Sequence, residues 1–242
     1  MSLNRLIHVL FPMFTARIPI ESRYNDDLCI EHDSLYGLRI SSKHSFQSGD
    51  YVEEMWEQGL RGIQVERYQH ILILGLGGGS IVSVLKRAGA EKGESFMITA
   101  IEQDPVMIAL ARAFYGDDFC AKRTSVTAIH REYMRIIRTK ADHAAVSAHG
   151  VSIVQTDAND FLRREQFRYP LIVIDLFHGF EVSALMRLPG FIDSVYDRLA
   201  PGGMILANVA HAADRLQPLW ERKKGCCTQI QYKQNTLLRI SS

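Results

Sequence analysis

The sequence predicts an α/β protein built on a doubly wound, mostly parallel sheet, and three observations carry that expectation. Five short apolar runs recur between residues 70 and 207. Helical patterns separate them, so strand and helix alternate as βαβ units require. A glycine cluster, Gly75-Leu76-Gly77-Gly78-Gly79, stands where the first run turns into the first helix.

Composition agrees with a packed globule. The 242 residues carry 28 Lys+Arg against 27 Asp+Glu, with 47% hydrophobic residues. That balance excludes disordered, collagen-like and disulfide-scaffold classes. A net charge of +1 argues against a general nucleic-acid coat, since such proteins carry a large basic excess. The four cysteines, Cys29, Cys120, Cys226 and Cys227, form no Cys-x-x-Cys pair and read as buried or half-buried free thiols, with no metal site. The apolar stretch Leu6–Phe14 is too short for a bilayer span and lacks a convincing cleavage site, so the expectation is a cytoplasmic protein.

Residues 1–48 read as a small β extension. Arg17–Arg23 and Asp27–His32 alternate around the turn-forming Asn25-Asp26, and Tyr36–Ser41 is a third strand candidate. The spacing of Val52, Met55 and Trp56 predicts a helix over 51–58, with Gly59 as its stop. Residues 49–242 form the second unit. Its runs are His70–Leu74, Phe96–Ile101, Val151–Val154, Leu171–Ile174 and Met204–Ala207, continuous enough for strands buried on both faces. Helices are expected over 81–88, 105–114, 158–165 and 182–199, the second opened by Asp104-Pro105 as N-cap and first-turn proline. Thr228–Tyr232 and Thr236–Ile240 read as two closing strands.

An insertion at about 118–148 interrupts the pattern. Ile129, Tyr133, Ile136 and Ile137 make one face of an amphipathic helix, and Arg131, Arg135 and Arg138 another. With Lys122, Arg123 and Lys140, residues 122–140 carry six positive charges against Glu132 alone. Two readings stand: a patch for an acidic substrate or RNA, or a solvated helix face.

The chemistry-bearing positions follow the strands. Gly75, Gly77, Gly78 and Gly79 allow a tight turn and a close approach of backbone to ligand, and the helix start promises free N–H donors. Ser80 stands where a dinucleotide fingerprint wants its last small residue, so a nicotinamide cofactor fits only in part. Glu102, followed by Gln103, ends the second core strand, where a carboxylate can accept from two ribose hydroxyls. Asp157-Ala158 ends the third. Asp157 reads equally as an acceptor for an adenine amino group and as a helix N-cap. Asp175 ends the fourth. Three acids at successive strand ends converge on one crevice, the usual ligand site of an open α/β sheet.

The ordered motifs Ile-Leu-Ile-Leu-Gly-Leu-Gly-Gly-Gly, Ala-Ile-Glu-Gln-Asp-Pro, Gln-Thr-Asp-Ala, Val-Ile-Asp-Leu-Phe-His-Gly and Arg-Leu-Ala-Pro-Gly-Gly resemble the class I S-adenosylmethionine-binding superfamily. Within it they look most like the spermidine synthase (polyamine aminopropyltransferase) group, over about residues 68–210. The resemblance implies a seven-stranded Rossmann-like methyltransferase sheet with a small N-terminal β extension. It implies that Gly75, Gly77, Gly78 and Gly79 cradle the amino-acid end of the cofactor. Glu102 and Gln103 would hold the ribose, Asp157 and Ala158 the adenine, and Asp175 would face the reacting centre and help deprotonate the acceptor.

Two departures matter. The group's glycine loop usually has an Asp, which binds the aminopropyl ammonium of decarboxylated S-adenosylmethionine, where this chain has Gly78. The second acid of the group's Asp-x-x-Asp-Pro is replaced by His178, either a general base beside Asp175 or a loop hydrogen-bonding residue. Gln47 is a candidate for a glutamine the group places near its cofactor, and the C-terminal part is shorter than in the synthases.

The expectation is therefore a transferase binding S-adenosylmethionine, leaning to methyl transfer onto a small-molecule acceptor. Aminopropyl transfer from decarboxylated S-adenosylmethionine is the alternative, and a non-enzymatic nucleoside-binding or assembly protein the second alternative. Neither membrane nor nucleic acid is an expected partner. A homodimer is expected by analogy with the group.

Overall fold

The computed structural model describes residues 16–43, 45–139, 145–179, 181–221 and 226–241. The apolar stretch Leu6–Phe14 and Lys140 lie outside them. The chain opens on a four-stranded antiparallel sheet in the order of its strands: β1 (Ala16–Pro19), β2 (Cys29–Asp33), β3 (Gly37–Ser42) and β4 (Ser45–Phe46). β4 has two residues, too few for a periodic signal. Helix α1 (Asp50–Leu60) follows. Gly59 does not end it. Instead Gly59 faces the large sheet, where an added Cβ would come within 2.5 Å of Leu237, so glycine is needed for close packing.

The rest of the chain builds β5 (His70–Leu74), α2 (Ser80–Ala90), β6 (Met97–Glu102), α3 (Pro105–Tyr115), α4 (Val126–Arg138), β7 (Ala145–Ala148), β8 (Val151–Gln155), α5 (Ala158–Arg164) and β9 (Tyr169–Ile174). A short hairpin, β10 (Phe177–His178) with β11 (Glu181–Val182), precedes α6 (Pro189–Asp197), β12 (Leu199–Ala210), α7 (Ala213–Glu221), β13 (Cys226–Tyr232) and β14 (Asn235–Ser241). The helix expected over 182–199 is thus shorter. Val182 pairs in the hairpin, a 3₁₀ turn covers Ala184–Arg187, and Pro189 restarts the chain as a helix.

The large sheet runs β13-β14-β12-β9-β5-β6-β8-β7. Its five central strands are parallel, and β14 returns antiparallel between β12 and β13. Seven strands form the expected sheet. The eighth, β7, is an antiparallel edge neighbour of β8 supplied by the insertion.

Strand alternation sorts the core into two layers. Ile71, Ile73, Leu171 and Val173 join the cluster shared with α1–α4 and with Ile30 and Ile40 of the small sheet. Leu72, Leu74, Ile172 and Ile174 join the cluster shared with α5–α7. Each such side chain contributes roughly 1.5–3 kcal/mol by leaving water, which explains why these runs are apolar at every position. The order of strand addition reverses between β5 and β9: β6 and β8 lie to one side, β9 and β12 to the other. Open sheets gather ligands at that switch point.

The insertion forms the expected amphipathic helix, with its apolar face packed and its arginines outward. Ile129, Tyr133 and Ile136 are buried, while Arg131, Arg135 and Arg138 are exposed. Lys122 pairs with Asp50 and Glu53, and Arg123 and Arg135 both pair with Glu132. Of the cysteines, Cys29 is buried and Cys227 half-buried, but Cys120 and Cys226 are exposed. Cys226 opens an edge strand whose outer side no neighbour covers among the described residues.

Candidate functional site

A cavity of about 620 Å³ opens above the ends of β5, β6, β8 and β9, within the size range that encloses a small-molecule ligand. Gly75, Gly77, Glu102, Gln103, Asp157, Ala158 and Asp175 all line it. Gly78 and Gly79 sit one layer behind.

The loop after β5 is fixed by its neighbours. Gly75 has φ +91°, and an added Cβ would come within 2.3 Å of the Asp175 carbonyl, so only glycine passes between β5 and β9. The Gly78 N–H donates to the Gln47 carbonyl at 2.9 Å, and a Cβ at Gly78 would meet that oxygen at 2.6 Å. The segment Gln47-Ser48 therefore fills the place where a side chain at 78 would stand. The turn's own N–H groups are taken within the protein, ahead of the helix start at Ser80. Gly75 and Leu76 donate to the Ile101 carbonyl, Gly77 to Glu102, Gly78 to Gln47 and Gly79 to the Leu76 carbonyl. A tight turn consumes its own donors. Behind it, the Ser80 and Tyr115 hydroxyls lie 2.9 Å apart, and Tyr115 donates to Glu53 at 2.6 Å, tying the loop to α1.

Glu102 accepts one backbone N–H on each oxygen, from Gly77 at 3.1 Å and Asp104 at 2.9 Å. Each oxygen keeps a further lone pair for a hydroxyl. Burial dominates over these bonds and pushes its pKa up to about 7.

Asp157 caps α5: its Oδ1 accepts from the N–H groups of Asn159 and Asp160. The N-cap reading holds, and no hydrogen bond to its Oδ2 is seen among the described residues. Ala158 supplies the remaining orphan N–H of that first turn. An acceptor beside a donor matches the adenine edge, whose amino group donates and whose adjacent ring nitrogen accepts. The donor set thus fits an adenosyl ligand.

Asp175 is half-buried at the cavity wall, and desolvation raises its pKa to about 6. The Asn208 side-chain N–H donates to Asp175 Oδ1 at 3.0 Å and opposes that shift. Asn208 is itself held, since its Oδ1 accepts the Ala210 N–H at 3.1 Å. The β12–β14 register slips between Asn208 and Ala210, and Ala210 adopts φ +45°. This bulge turns the Asn208 amide toward Asp175.

His178 is not brought to the cavity. It is exposed on the β10–β11 hairpin, paired in register with Glu181, and its charged neighbour is Asp26. The imidazole on the cavity wall is His211, just past the bulge. Sequence reasoning missed Asn208 and His211, because a lone amide or histidine after a strand carries no motif. It also missed Tyr24, Asn25, Tyr51 and Lys233, which reach the cavity from distant segments. Gln47 lies beside Gly77 on the wall.

Among the described residues no group of three or more His, Cys, Asp or Glu is placed to hold a metal, and no helix is long and apolar enough to cross a membrane.

Strand order and cavity position define a Rossmann-like sheet with its cavity at the switch point. No protein-family model and no curated protein sequence matches the chain. Solved structures do. A probable spermidine synthase from Corynebacterium glutamicum superposes with a TM-score of 0.62 at 17% identity, over 93% of this chain and 80% of that one. A spermidine synthase in complex with the transition-state analogue AdoDATO gives 0.59 at 15% identity, over 92% and 73%. Spermidine synthase from Thermotoga maritima gives 0.56 at 15% identity, over 92% and 72%. The chain has the spermidine synthase fold, as its motifs imply.

Proposed function

We propose that this chain is a transferase that binds S-adenosylmethionine and moves its methyl group to a small-molecule acceptor. The observation that carries the reading is the convergence of Glu102, Asp157, Ala158 and Asp175 on one cavity, each with unspent hydrogen-bonding capacity. Glu102 takes the ribose hydroxyls, while Asp157 Oδ2 and the Ala158 N–H take the adenine edge. When bound, the nucleoside supplies a methyl carbon on a cationic sulfur, and sulfur keeps the electron pair of the breaking C–S bond as the acceptor's heteroatom bonds that carbon. Asp175 receives the proton which that heteroatom loses. Its raised pKa makes it a stronger base than an ordinary carboxylate, yet it is ionised at neutral pH. Asn208 orients it. Most of the rate comes from holding the two reactants in line. His178 has no part in this chemistry.

Aminopropyl transfer is the second reading, favoured by the spermidine synthase fold. It needs an anion at the glycine loop for the aminopropyl ammonium. At Gly78 there is none, and Gln47-Ser48 fills the space. Titration calorimetry separates the two. S-Adenosylmethionine and S-adenosylhomocysteine are expected to bind more tightly than the decarboxylated form and methylthioadenosine. Tighter binding of the decarboxylated form, with turnover of 1,4-diaminobutane, would reverse the assignment.

A further inference from the structure

The half of the cavity away from the nucleoside wall has a chemistry of its own. Tyr36, Phe46 and Tyr51 line it and continue to Tyr232 as a ladder of rings, with successive centroids 5.0, 5.5 and 5.4 Å apart. Such a wall suits a flat unsaturated body, which gains apolar burial and edge or offset ring contacts. Aromatic rings also attract cations, but here the protein's own cations hold that position. The Arg39 guanidinium lies 5.4 Å from the Tyr36 centroid and 4.8 Å from that of Phe46. The Lys233 ammonium lies 4.9 Å from the centroids of both Tyr51 and Tyr232.

The two cations are not equivalent. Arg39 is neutralised by Glu31 at 3.0 Å and Asp33 at 2.6 Å. Lys233 has Glu54 at 3.4 Å, and that same carboxylate oxygen accepts the Tyr232 hydroxyl. Lys233 is also placed on the cavity wall by the β13–β14 turn, where it adopts φ +50°. Of the acids on the wall, Glu102 and Asp157 belong to the nucleoside half, leaving Asp175 alone beside the acceptor. A diamine there finds one carboxylate for two ammonium groups and meets Lys233.

We propose that the acceptor is a planar aromatic molecule carrying an anionic group, with its ring against Tyr36, Phe46 and Tyr51 and its anion at Lys233. This rests on the adenosyl-transferase reading only in that the remaining half of the cavity is the acceptor's.

The test uses the full chain and four probes in calorimetry: S-adenosylhomocysteine, 2-naphthoate, 2-naphthylmethylamine and 1,4-diaminobutane. With S-adenosylhomocysteine bound, 2-naphthoate is expected to bind at least tenfold more tightly than either amine. Lys233→Gln, a change in an exposed turn, is expected to weaken 2-naphthoate about tenfold, and Lys233→Arg to restore it. Equal or tighter binding of the amines overturns the proposal. So does a Lys233→Gln loss confined to S-adenosylhomocysteine, measured against methylthioadenosine, because Lys233 would then serve the nucleoside's own carboxylate. If S-adenosylhomocysteine fails to bind, the nucleoside assignment falls, while 2-naphthoate binding to the chain alone still decides the ladder's preference.

Discussion

The two halves of the cavity are built in opposite ways. The proposed nucleoside wall comes from three strand-to-helix turns, and two of its groups, Glu102 and Asp157, accept backbone N–H groups two or three residues further along the chain. The acceptor wall is assembled from residues 24–51 and 208–235, which meet only because β14 returns through the sheet and the small sheet folds over its top. Local turns make the first wall rigid and generic. Long-range assembly makes the second wall particular to this chain.

Three substitutions probe that difference. The largest effect belongs to the point where the walls meet. Asp175→Asn is expected to lower kcat by about 10²–10⁴, the usual contribution of a positioned proton acceptor. S-Adenosylhomocysteine affinity should change little, and the acid limb of the wild-type pH–rate profile, near pH 6, should vanish. Loss of nucleoside binding in this variant would place Asp175 on the wrong wall.

Glu102→Gln acts on the nucleoside wall alone. Hydrogen bonds to a charged group are worth about 1.5–3 kcal/mol, so S-adenosylhomocysteine affinity should fall roughly ten- to a hundredfold. The same residue marks the free chain. Its folded pKa is raised, so the native state holds more protons than the unfolded state between about 4.5 and 7. Stability therefore falls as pH rises through that window, by up to about 3 kcal/mol. Thermal melts of the ligand-free chain should show that decline; Glu102→Gln should remove its part above about pH 6 and leave the part below, to which Asp175 also contributes. A decline above about pH 6 that persists in the variant assigns it to another group.

The smallest effect is expected at Asn208. Its amide favours the ionised form of Asp175, so Asn208→Leu should move the acid limb of the profile to higher pH. At pH 7 the rate should drop about tenfold, one charge-assisted hydrogen bond's worth. Unchanged limb position with reduced rate would mean that Asn208 serves packing alone.

The sequence read the two walls unequally for the same physical reason. Buried parallel strands are apolar on both faces, so β5, β6, β8 and β9 announce themselves, and the acids at the ends of β6, β8 and β9 are fixed to the sheet's upper rim. That made Glu102, Asp157 and Asp175 legible from spacing alone. His178 went astray because Gly179 and the β10–β11 hairpin carry the chain outward immediately after Asp175, and a two-residue strand leaves no periodic trace. Asn208 was invisible because its role depends on a register slip in β12, which no residue pattern encodes. Nor could the pattern show that the N–H groups of the glycine turn itself are taken: Ile101 accepts two of them, Glu102 one and Gln47 one, all remote in sequence. Gly59 was misread for a like reason. A glycine ending a helix and a glycine admitting Leu237 look the same in one dimension.

The fastenings between the small sheet and the glycine loop bear on how such a chain can be inherited. Ser22 and Asn25 each donate to the fully buried Asp104 at 2.6 Å, and Gln47 holds Gly78. A foreign amino-terminal segment grafted onto this sheet would arrive without those partners and leave Asp104 short of two donors beside Glu102. Recombination at that junction is therefore disfavoured even though the chain reads as two units. Residues near 22–48 and 75–104 are bound to drift together, and variation in one should be answered in the other.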